Sequence, residues 1–315
     1  MLQIFHLTLE KVAVLLLYVA VGYFLRRGRL LPADTARVLS TLCTALFIPA
    51  YIFQSLGRNF TRDTLGENGA LALSGLAWMV GGGILAFLFA RLLGKTALER
   101  STLTYVFTFP NTGYFGYPVI EGVFGQAALA KMIVFLLPFA IGTYTYGYAL
   151  FEKQEGGWKA MLLRVLKAPS VLAVALGVAA GLAGLKLPGV VDGMLTGLSD
   201  CMSPASMLLA GFVLGGYPLK DLFRGARGYL AVAVRMLLFP ALGLALCLLL
   251  RPKGWLFLFP AAIMGMPMGL NAVVFPESRG EDVSATARMV FQSTLLAIIT
   301  LPPFFALLFR LAGLE

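Results

Sequence analysis

Phe109-Pro110-Asn111-Thr112-Gly113-Tyr114-Phe115-Gly116-Tyr117-Pro118 interrupts an apolar stretch in the first half of the chain. Gly265-Met266-Pro267-Met268-Gly269-Leu270-Asn271 interrupts another in the second half. Both put proline, glycine and asparagine at what should be bilayer depth. There, an unpaired backbone N–H or C=O costs several kcal/mol. Proline removes a donor and glycine loosens the helix, so both segments are expected to unwind and present bare peptide groups and helix ends. A matched pair of broken spans is the sequence signature of a secondary-transporter site.

The surrounding composition fixes the class. Hydrophobic residues make up 59% of the 315 and charged residues only 13%, against roughly 25% charged in a soluble domain. Mean hydropathy is +0.86, and apolar runs of about 20 residues recur throughout, as a polytopic helical membrane protein requires. The formal charge of +10 would suggest nucleic acid in a soluble chain. Here the cations gather at span ends, which reads as topology and argues against a nucleic-acid partner. Cys43, Cys201 and Cys247 stand singly in apolar runs, without metal or redox spacing. The single histidine, His6, lies at the N-terminus, and the first span reads as a membrane helix rather than a signal peptide.

Ten spans are expected, at about 5–25, 36–56, 69–93, 101–124, 128–151, 169–187, 192–216, 228–250, 256–277 and 286–310. The odd-numbered connectors hold sixteen basic residues and the opposite side eight, with Arg235 left inside a span. That excess puts the odd connectors in the cytoplasm and both termini outside a cell-membrane protein. Residues 1–151 and 169–315 then form two five-span units of opposite topology, joined by a cytoplasmic connector at 152–168. Landmarks repeat in order: Pro32 and Pro49 match Pro188 and Pro204, Asp63 matches Asp221, and Pro138 matches Pro302. The broken span is the fourth of each half, which reads as an inverted repeat.

The stretch Asn111-Thr112-Gly113-Tyr114-Phe115-Gly116-Tyr117-Pro118 resembles the N-T-G-F-x-G-x-P motif of the auxin efflux carrier family, which includes plant auxin exporters and bacterial malate or malonate permeases. Pro267 to Glu277, and Ser293 to Pro302 in the last span, are also similar to that family. The resemblance covers nearly the whole chain. It implies an all-α fold of ten helices in a 5+5 inverted repeat with crossing, broken helices 4 and 9, related to sodium–proton antiporters and bile-acid symporters. It further implies a carboxylate-bearing substrate carried by an elevator-like motion. Asn111 and Pro118 match the family's crossover residues in the first half and Pro267 in the second; Asn271 falls four residues after that proline.

The residues themselves support an anion site. The Asn111 carboxamide can donate to a carboxylate beside a freed helix N-terminus, or it can serve only the broken backbone. Asn271 invites the same two readings. Thr112 offers a hydroxyl, and Gly113 permits close crossing of the helices. Arg235 is the charge deepest in a span, at a cost of about 2.5–3.5 kcal/mol; it attracts the substrate, replaces a coupling cation in the resting state, or pairs with Asp200. Glu121, Asp200 and Gln292 are the coupling-ion candidates, with Glu277 the counterpart of Glu121 and Gln54 a polar neighbour of the path. No cofactor is called for beyond H+ or Na+ as a coupling ion. The expected partners are a small organic anion and the lipid bilayer, with a homodimer left open.

A dicarboxylate or auxin-like acid is the favoured substrate, by alternating access. A sodium-coupled symporter of larger amphipathic acids is the alternative. The paired aspartates of cation antiporters are missing beside the breaks, which argues against that class. An intramembrane enzyme would need Ser–Lys, paired Asp or HExxH chemistry, and none is written here.

Overall fold

The structure, a computed structural model, describes residues 1–151, 157–277 and 281–314. Among them, seven helices are long and apolar enough to cross a membrane. These are α1 (Leu2–Arg27), α2 (Thr35–Asn59), α3 (Arg62–Leu93), α6 (Gln126–Gly147), α9 (Gly189–Leu214), α10 (Ala226–Leu250) and α13 (Ser284–Ala312). Between them lie the shorter α4 (Ala97–Thr108) and α5 (Tyr117–Phe124), α7 (Gly157–Lys167) and α8 (Pro169–Leu182), and α11 (Trp255–Gly265) and α12 (Asn271–Glu277). Seven of the ten expected spans coincide with the long helices; the stretches expected to span at 101–124, 169–187 and 256–277 hold the shorter helices α4–α5, α8 and α11–α12. The Glu277 side chain, Lys153 and Arg279 lie outside the described residues.

Proline writes much of the helix geometry. Widened five-residue turns at Cys43–Phe47, Thr112–Gly116 and Val234–Leu238 each end two residues before a proline: Pro49, Pro118 and Pro240. A proline cannot donate to the carbonyl four residues back, and its ring crowds that carbonyl. A π-turn reroutes the backbone around the conflict. The fourth such turn, Thr143–Gly147, has no following proline. There, the hydroxyls of Thr143 and Thr145 bond back to the Phe139 and Ile141 carbonyls, both at 2.9 Å, which bends helices in the same way.

Among the described residues, three helix pairs pack at backbone distance through glycine, one of them α3–α6, where Gly75 meets the Phe135 carbonyl. A Cβ on Gly22 or Gly211 would run into the Leu208 or Val19 carbonyl across the α1–α9 contact. On the α2–α8 contact, Gly177 and Gly181 lie against the Phe53 and Phe60 carbonyls in the same way. Small residues are what let membrane helices approach this closely. The other helices associate around α3, which packs on α4 and α6, and around α13, which packs on α10 and α11. Leu73, Leu92, Leu249 and Ile299, each more than two-thirds exposed, point outward as lipid-facing side chains do.

Candidate functional site

Both apolar stretches are broken, and the breaks meet. Helix α4 ends at Thr108, and the chain then runs extended through Phe109 to Asn111. Helix α11 ends at Gly265, and Met266 leaves it in extended conformation. Pro110 and Met268 form an antiparallel bridge, among the described residues the one extended pairing. The Asn111 N–H donates to the Pro267 carbonyl at 2.9 Å. Gly269 passes so close that a Cβ there would lie 2.7 Å from the Phe109 carbonyl, so only glycine allows this crossing. Ser293 of α13 accepts a hydrogen bond from the Met268 N–H at 3.1 Å, and Ser206 of α9 donates to the Tyr114 carbonyl at 3.3 Å.

A cavity of about 120 Å³ sits against this crossing. Asn111, Thr112 and Gly113 line it from the first break, and Leu270 and Asn271 from the second. Thr44 of α2, Thr143 of α6 and Ser170 of α8 close the far wall. Among the described residues, neither Asn111, 4% exposed, nor Asn271 commits its side-chain amide to another group. The N–H groups of Gly113, Leu270 and Asn271 have no backbone partner either. Bare amides at two converging helix starts, with their partial positive charge, favour an anion.

Four of the expected site residues therefore share one cavity: Asn111, Thr112, Gly113 and Asn271. The others do not line it. Pro118 is buried behind it, where it sets the widened turn, and Pro267 contributes its carbonyl to the bond between the breaks. Arg235 is fully buried elsewhere, donating from Nη2 to the Ile263 carbonyl at 2.9 Å and lying 5.6 Å from the Phe239 ring. Pairing with Asp200 is not formed, since Asp200 lies exposed at the end of the first helical stretch of α9. The guanidinium instead meets a carbonyl in the last turn of α11, where the helix dipole favours a cation. Its Nε and Nη1 have no hydrogen-bond partner. Gln292 is also spent elsewhere, donating to the Leu222 carbonyl at 2.9 Å, and Gln54 donates to Thr196 at 2.6 Å. Both tie helices together rather than line a path.

Glu121 occupies a polar junction next to the cavity. It accepts hydrogen bonds from the Tyr51 hydroxyl and the Gln126 amide. Lys11 of α1 and Asp200 of α9 bear on it electrostatically. Tyr51 stacks on Tyr117 with centroids 6.2 Å apart, and Tyr117 lines the cavity. Tyr51 and Ser206 escaped the sequence reading, and Tyr117 and Ser293 entered it only as members of motifs, because single polar residues in apolar spans carry no periodic signal.

With the geometry in place, comparison with known proteins gives the class. The membrane transport protein family profile matches residues 7–305. This chain belongs to that family. It is thus a multi-pass membrane transporter, and the auxin-efflux resemblance of its first broken motif is sustained. An uncharacterized transporter of Methanothermobacter thermautotrophicus is 27% identical over 302 residues, covering 95% of this chain and 98% of the relative. Uncharacterized transporter MJ1031 of Methanocaldococcus jannaschii is 26% identical, covering 93% and 96%. Uncharacterized transporter YfdV of Escherichia coli K12 is 23% identical over 212 residues, covering 63% and 66%.

Proposed function

We propose that the protein is a secondary carrier of small organic carboxylates, binding them at the crossing of the two broken spans. One observation carries this reading: among the described residues, those bearing two uncommitted carboxamides and three N–H groups without a backbone partner line a single cavity at that crossing. Amides and helix starts bind a carboxylate without a counter-cation, and the cavity wall holds no charged side chain.

The proposed architecture is two inverted five-span units. In its favour, the α1–α9 and α2–α8 contacts, both glycine-mediated, exchange with each other when the halves are swapped. The packing of α3 on α4 and α6 likewise exchanges with that of α10 on α11 and α13. Helices α1, α2, α8 and α9 would form a scaffold against which the rest move. The cavity wall at Thr44, Thr143 and Ser170 lies near the connectors with the basic excess, which corresponds to an inward-facing state with both termini outside the cell membrane.

Purified protein screened by thermal shift against acetate, malonate, malate and indole-3-acetate tests the reading, with and without sodium at two pH values. A binder should raise Tm and drive counterflow in proteoliposomes. No Tm shift with any carboxylate, in protein that is folded and inserted, would refute it. A shift only in sodium, and only for the larger acid, would favour the sodium-coupled alternative.

A further inference from the structure

A second, larger cavity takes no part in the crossing. It occupies about 500 Å³ among the ends of α3, α4, α10 and α13 and shares no lining residue with the first. Its apolar wall includes Leu92 and Leu230, 78% and 52% exposed. The cavity therefore opens sideways, toward the hydrocarbon these helices face.

Its rim is cationic: Lys95, Arg224, Arg227 and Arg288 all line it. Two carboxylates also line it, each bonded to backbone and each within electrostatic reach of these cations: Glu99 of Arg227 and Lys95, Asp282 of Arg288. Glu99 accepts from the Lys95 N–H at 2.7 Å and the Thr96 N–H at 3.3 Å, closing the N-terminal cap of α4. Asp282 accepts from the Ser284 N–H at 2.9 Å at the start of α13. Arg224 is paired with Asp221 at 2.9 Å. Among the described residues, Lys95, Arg227 and Arg288 have no ion-pair partner. Four cations against two carboxylates leave the lining net positive beside a greasy wall, a combination that suits an amphipathic anion.

We infer that this cavity is a binding site for an anionic phospholipid, with the phosphate held by Lys95, Arg227 and Arg288 and an acyl chain along Leu92 and Leu230. Charged donors grip phosphate oxygens strongly, and basic pockets between membrane helices recognise such headgroups. A free anion would gain nothing from the lateral apolar opening. The site joins α3, α4, α10 and α13, all in the group proposed to move, so a lipid there would travel with them or resist their motion. This dynamic role rests on the carrier reading; the binding itself does not.

The test uses the full-length purified protein, with lipid retention read by native mass spectrometry and stability by thermal shift. The probes are dioleoylphosphatidylglycerol, dioleoylphosphatidylcholine and inorganic phosphate. Wild type should retain the glycerol lipid about tenfold better than the choline lipid and gain Tm from it. The R227Q/R288Q variant should lose that preference, whereas K186Q/K253Q, which alters cations outside the cavity, should keep it. Equal retention of the two lipids by wild type overturns the proposal, as does an unchanged preference in R227Q/R288Q. Inorganic phosphate matching the glycerol lipid in Tm gain also overturns it, in favour of a free-anion site. Should R227Q/R288Q fail to fold, the wild-type lipid and phosphate arms decide. Carboxylates enter none of these measurements, so failure here and failure of the carrier reading are told apart.

Discussion

Asn111 does two jobs with two parts of itself. Its backbone is fully used, the N–H by Pro267 and the carbonyl by Gly116 at 2.9 Å, while its side chain is left to the cavity. Asn111→Ala should therefore spare the crossing and cost the substrate one hydrogen bond to a charged group, about 1.5–3 kcal/mol. The Kd for the bound carboxylate, read by thermal shift or counterflow, should weaken about 10- to 100-fold, with normal insertion. Asn111→Asp should do worse, because it sets a negative charge against an anion. Unchanged affinity in both variants would return the residue to a purely structural role. The position was legible in the sequence, because asparagine beside proline and glycine at bilayer depth needs a reason. Arg235 was equally conspicuous, yet its partner was not: a carbonyl in the last turn of another helix is invisible until the chain is folded. Glu121 was visible as a carboxylate, while the Tyr51 that holds it lies 70 residues away in the sequence.

Among elements, the breaks and the helix contacts make separate claims. Arg235 of α10 bonds the last turn of α11 and has no ion-pair partner among the described residues, so Arg235→Ala should destabilise by about 2 kcal/mol or more through the lost charged hydrogen bond and the space left behind. Combined with Asp200→Ala, the effects on unfolding should add to within about 0.5 kcal/mol. A clear coupling between them would restore the discarded ion pair. Glycine contacts make the sharper contrast. Gly211→Val forces a branched side chain into the Val19 carbonyl and should cost about 1–3 kcal/mol, seen as a lower Tm, whereas Gly193→Ala meets open space within a helix and should leave stability unchanged or raise it by up to about 1 kcal/mol. The seven long apolar helices were readable from hydropathy, most of their bounds to within a few residues. The widened turns before Pro49, Pro118 and Pro240 were not, since a proline shows where a helix is disturbed but not how it adjusts.

For the whole molecule, the junction at Glu121 is where a moving part would touch a fixed one. Glu121 belongs to α5, beside the crossing, and Tyr51 belongs to α2, in the proposed scaffold. A carboxylate there accepts both the Tyr51 and the Gln126 hydrogen bonds, and a protonated one accepts fewer. Glu121→Gln should leave carboxylate binding intact while flattening the dependence of uptake on a proton gradient in proteoliposomes. A variant that retains wild-type gradient dependence would eliminate Glu121 as the coupling group.

The Asn111 N–H to Pro267 carbonyl bond, with the Pro110–Met268 bridge beside it, acts as a yoke. Neither interrupted strand of backbone can slide past its partner without surrendering a peptide hydrogen bond far from water. The two amide clusters must then shift together, and a bound guest would keep its coordination while the surroundings change which face of the bilayer it sees.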